Sequence, residues 1–271
     1  MSDLPQPIFS AAAVVALLAA TALIAGVAAF SVVKSGARAG LIRLDAFSSS
    51  LLGFLVSSVM LLGIGSAKIF SHAFSDANAA VFSGTAVLQI SGIAAALWFA
   101  RNMGFSLTPA FRPHMITQGI LYFTASLSAL TLAAAINFAY GAISGEAVAQ
   151  QEVVSVFVGI DSLPVRALAI FSIAVLAPVV EEVFFRGILY RAGKYWFSGL
   201  QRFGKIAPAF ASAIAVSILF ACVHASLFAF FPIFLMGLIL ICAYERSGSL
   251  AVPIIAHSLF NITNMAILSL R

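Results

Sequence analysis

Charge is what this chain has least of. Only 8% of its 271 residues are Asp, Glu, Lys or Arg, 62% are hydrophobic, and mean hydropathy is +1.11. Soluble domains carry about 25% charged and roughly 45–50% apolar residues, so a soluble globular fold is excluded. Cysteine is scarce as well. Cys222 and Cys242 are the only two, both in apolar runs without C-x-x-C spacing, which excludes a disulfide scaffold and predicts buried free thiols. The formal charge of +5 belongs to loop asymmetry between helices, and no nucleic-acid partner is expected. No Lys or Arg precedes the first apolar run, which is too long for a signal-peptide core and reads as a spanning helix.

Long apolar runs are what the chain does have. A span needs about 20 predominantly apolar residues. Eight runs qualify, at roughly 9–33, 46–70, 81–100, 115–140, 166–190, 209–228, 230–245 and 250–270. The sixth and seventh are nearly continuous and are divided at Pro232 and the short 225–231 stretch. The expected fold is an all-α polytopic membrane bundle of about eight transmembrane helices. One set of alternate loops holds ten of the fourteen basic residues, and the other holds Lys68, Arg166 and Arg271. By the positive-inside rule both termini are then non-cytoplasmic. Residues 1–140 form the first four helices and carry no motif. Residues 141–165 form a long, acidic non-cytoplasmic loop, read as a connector with a lid or partner-docking strip as the alternative. Residues 166–271 hold the polar investment. Between Lys194 and Ile206, basic and aromatic residues alternate as in a segment lying in the headgroup layer.

Ionisable residues at membrane depth are costly and mark functional sites by default. The run Glu181-Glu182-Val183-Phe184-Phe185-Arg186 places three of them within the fifth span. Residues four apart share a helix face, so Glu182 and Arg186 are expected to pair, while Glu181 is rotated by about 100° and left free to hold a water. Pro178, one turn earlier, frees a backbone carbonyl, and Gly187 permits close helix approach. One Glu and one Arg would suffice for a register-fixing salt bridge; the second Glu asks for another role. His224 follows Phe220 by one turn, and His257 precedes Asn261 by one turn on the last span. The second pair offers two donors on one stripe that can stabilise a developing oxyanion. Read singly, either histidine or Asn261 can be interhelical hydrogen-bonding glue.

The succession EExxxR, FxxxH and HxxxN, with Ala177-Pro178 before the glutamates and Gly248-Ser249-Leu250 before the last histidine, resembles the CAAX protease and bacteriocin-processing (CPBP) family of intramembrane endopeptidases. The resemblance covers roughly residues 166–265. It implies that Glu181 and His224 activate water, that His257 and Asn261 form the oxyanion site, and that Glu182 and Arg186 support them. The family is often labelled metallopeptidase, and Glu181, His224 and His257 would be the zinc ligands. HExxH is absent and Asn261 is a poor zinc ligand, so no cofactor is favoured and zinc is the alternative.

The expected activity is therefore intramembrane hydrolysis of a peptide bond in a membrane-associated protein or peptide, in a prokaryotic inner membrane. The alternatives are a non-catalytic family member, or a transporter-like protein using the Glu/Arg/His cluster for proton or substrate binding. A transporter should show paired, interrupted repeats, whereas the polar residues here are confined to the second half. Neither substrate nor oligomeric state is legible.

Overall fold

The computed structural model describes residues 76–107, 111–144, 160–204, 207–224 and 226–269. The first two expected spans, and most of the 141–165 loop, lie outside these residues. The described residues form helices α1 (Ala77–Asn102), α2 (His114–Ser144), α3 (Leu163–Trp196), α4 (Ala207–Cys222), α5 (Leu227–Ser247) and α6 (Ala251–Ser269). A 3₁₀ segment, Ser198–Phe203, follows α3, and no strand occurs among the described residues. Four helices contain stretches long and apolar enough to cross a membrane: α1, α2 within His114–Ala133, α3 and α5; α4 and α6 are shorter apolar helices. Each of the last six expected spans coincides with one helix. The count of eight extends beyond the described residues.

Local chemistry sets several ends. The Asp76 carboxylate accepts from the Asn78 and Ala79 N–H groups, capping α1. The Ser226 hydroxyl accepts from Ala229 N–H at the start of α5, and Gly248, at φ 64°, closes its C-terminus in the left-handed conformation. α2 runs to Ser144 and α3 begins at Leu163, so both helices extend into the stretch read as a loop.

Two expectations differ from the structure. The break between α4 and α5 falls after Cys222, and Pro232 lies inside α5. Pro232 is in the second turn, where only one intrahelical bond is forfeited, while Ser226 supplies the cap that starts the new helix. The other correction concerns the thiols. Cys222 and Cys242 are free but exposed, not buried. In a membrane bundle the outer surface is as apolar as the core, so hydropathy cannot tell one from the other.

The interior is layered around α3. Val183 and Ile188 pack with Phe99, Leu107 and Leu250, while Phe185 and Tyr190 pack with Val216, Phe220 and Ile241. α2 closes the far side through Ala129, which packs with Met236, Leu240 and Ala256. α3 thus has neighbours on several sides, and much of its stretch from Glu182 to Tyr190 is buried.

Candidate active site

The midsection of α3 carries the two glutamates. Glu182 and Arg186 are fully buried, whereas the Glu181 side chain is 27% exposed. The expected pairing of Glu182 with Arg186 is present. Arg186 donates from Nη1 to Glu182 Oε1 at 2.7 Å and from Nη2 to the Gly237 carbonyl of α5 at 3.1 Å. Its guanidinium also lies 4.6 Å from the Phe220 ring centroid of α4. One side chain therefore ties α3 to α4 and α5. A Cβ on Gly237 would stand 3.0 Å from Ser217 Cβ and 3.2 Å from its Cα, so glycine is what lets α5 come this close to α4.

His257 of α6 reaches the same carboxylate. Its Nδ1–H donates to Glu182 Oε1 at 2.9 Å, and its Nε2 faces Glu181 Oε2 at 3.8 Å. The imidazole stands between the two glutamates, bonded to one and facing the other. This tertiary link has no signature in the spacing, because nothing local couples positions 75 residues apart.

His224 lies just past the end of α4, in the turn leading to α5, and is exposed rather than on a buried helix face. Its Nδ1–H donates to the Phe220 carbonyl at 2.7 Å, which fixes the tautomer and leaves Nε2 with its lone pair free. Both imidazoles meet the Phe220 ring edge-on, His224 at 4.9 Å and His257 at 6.0 Å between centroids. Among the described residues, no hydrogen bond or ion pair joins Glu181 to His224. Asn261 is one turn beyond His257 on α6, and its Nδ2 donates to the Ile173 carbonyl of α3 at 2.9 Å.

Several buried polar atoms in this cluster have no hydrogen-bond partner: Glu181 Oε2, Glu182 Oε2, Arg186 Nε and Ser217 Oγ. Buried polar groups are normally satisfied, by water where protein cannot, so these atoms describe a place suited to holding water. Ser217 is not legible from the sequence, since a serine in an apolar helix carries no distinguishing pattern. Of the donors named for zinc, His257 gives Nδ1 to Glu182 and turns Nε2 towards Glu181 at 3.8 Å, while His224 and His257 both contact the Phe220 ring. Among the described residues no three His, Cys, Asp or Glu side chains group as a metal cage.

Among curated proteins, an uncharacterized 24.3 kDa protein of Escherichia coli is 33% identical over 102 residues, which is 35% of this chain and 42% of that protein. The chain thus spans less than half the length of that relative. No solved structure matches. The family model for type II CAAX prenyl endopeptidases, Rce1-like, matches residues 163–263. That stretch holds α3 to α5, most of α6 and all six candidate residues, and its likeness to the Rce1-like family agrees with the resemblance carried by the motifs.

Proposed function

We propose that this protein is an intramembrane endopeptidase that cleaves a membrane-associated protein or peptide with a glutamate-activated water. The observation that carries the reading is the unequal pair: Glu182 saturated by Arg186 and His257, and Glu181 beside it partly exposed, with a buried oxygen that lacks a hydrogen bond. A carboxylate already holding two charged or polar donors is a poor base, and its neighbour is left for the work.

Glu181 takes a proton from water, assisted by the free Nε2 lone pair of His224, as the hydroxide oxygen adds to the peptide carbonyl carbon. The proton then passes to the departing amine nitrogen as the C–N bond breaks. His257 acts on the oxyanion. With Nδ1 held by Glu182, its Nε2 is the ring nitrogen turned towards Glu181 and the water, where it can meet the developing charge. Asn261 stands one turn away on the same helix. Glu182 and Arg186 hold His257 in place.

Glu181→Gln keeps shape and removes the base. Purified in detergent, this variant should retain the wild-type thermal midpoint and lose cleavage by about 10²–10⁴-fold. Cleavage is read by comparing membrane proteomes with and without active enzyme for a new terminus. Undiminished processing by Glu181→Gln would remove the hydrolase assignment. We assign the enzyme to a prokaryotic inner membrane, with its basic helix ends towards the cytoplasm.

A further inference from the structure

α3 is not a regular helix where it approaches the glutamates. Ser172–Leu176 is π-helical, so Ala177 N–H bonds the Ser172 carbonyl five residues back. In that register the next donor, at position 178, would serve the Ile173 carbonyl. Position 178 is proline, which has no N–H. Pro178 is fully buried, so water is not an easy substitute. The Asn261 amide of α6 fills the vacancy, donating from Nδ2 to Ile173 O at 2.9 Å.

We infer that Asn261 is a positioning residue: it replaces the backbone donor missing at Pro178 and thereby locks the widened turn that aims Glu181 and Glu182. One extra residue in a π turn rotates everything after it by about 100° relative to a regular α-helix. The glutamates follow Pro178 by three and four residues. If the turn relaxed to α geometry, Glu181 would leave the side of α3 that faces His257. Asn261 thus acts on the carboxylates through the backbone of α3, and its own contact with a reacting carbonyl is not required for its effect.

Restoring the missing donor tests this. Asn261→Leu keeps the approximate volume and removes the amide; it should lower the thermal midpoint of the detergent-purified protein by about 4 °C or more, by leaving the partly buried Ile173 carbonyl unsatisfied. In a Pro178→Ala background the backbone regains an N–H at position 178, so the same Asn261→Leu change should cost little. This melting readout does not depend on the proposed proteolysis. Where cleavage is measured, Asn261→Leu should reduce kcat about tenfold or more with KM little changed, and Pro178→Ala/Asn261→Leu should recover most of it. If Asn261→Leu fails to accumulate, recovery of folded protein in the double variant supports the same conclusion. An equal loss of stability from Asn261→Leu in both backgrounds overturns the inference. So does a double variant that regains its melting point and remains inactive, since Asn261 would then be acting on substrate directly.

Discussion

Glu181 and Glu182 are adjacent in the chain and opposite in circumstance. The buried one has a guanidinium and an imidazole on a single oxygen; its neighbour has an imidazole facing it at 3.8 Å. Removing one partner of a buried ion pair leaves an uncompensated charge and typically costs about 3–5 kcal/mol. Arg186→Ala should therefore lower the thermal midpoint far more than Glu181→Gln does. Arg186→Lys should not rescue it, because a single ammonium cannot serve Glu182 and the Gly237 carbonyl with the geometry of a planar fork. Melting curves of the three variants side by side check the order. At this scale the four-residue spacing makes the Glu182–Arg186 pair legible. The His257–Glu182 and Asn261–Ile173 bonds are not, because each joins α6 to α3 across the bundle, and a one-dimensional pattern holds no record of which distant stripes face one another.

Two glycines on neighbouring helices make opposite predictions. A Cβ at Gly187 would meet the Leu107 Cδ2 methyl at 2.5 Å, the far end of a side chain that can turn aside. At Gly237 the obstacle includes the Cα of Ser217, which moves only with α4 itself. Gly237→Ala should therefore be the costlier change, by about 1–3 kcal/mol, and should displace the carbonyl that holds Arg186; Gly187→Ala should be tolerated more readily. Comparative thermal midpoints decide it. Close approach at Gly187 is expected from the sequence, whereas Gly237 carries no signal. The turn holding His224 is illegible for a related reason: Ala221, Cys222 and Val223 continue the apolar run of α4, and hydropathy does not register where a helix stops.

For the whole molecule, the helix ends sort by charge. The Arg191 guanidinium, near the end of α3, lies over the Phe105 ring just after α1 at 4.7 Å, and Lys194 pairs with Glu245 near the end of α5 at 2.6 Å. These contacts gather the ends of three helices, with Arg101 and Arg246 beside them in sequence, at one side of the bundle. The six described helices follow the apolar runs closely because lipid imposes length and hydropathy together. In a background lacking Cys222 and Cys242, Arg246→Cys should react with a membrane-impermeant maleimide only when the cytoplasmic face is accessible, and Asp161→Cys only from the other face. Exchange of the two faces would reverse the proposed orientation, and labelling of both from one side would break the helix count.

The Arg186 guanidinium, gripping Glu182, the Gly237 carbonyl and the Phe220 ring at once, makes correct insertion and a competent reaction centre hard to separate genetically. A random-mutagenesis screen filtered for abundant, inserted protein would be blind at Arg186 and Glu182, whose variants would be degraded before they could be scored. It would instead collect dead but plentiful alleles at Glu181. On the proposed mechanism, the residue assigned as the base would be the easiest to lose without trace in the scaffold.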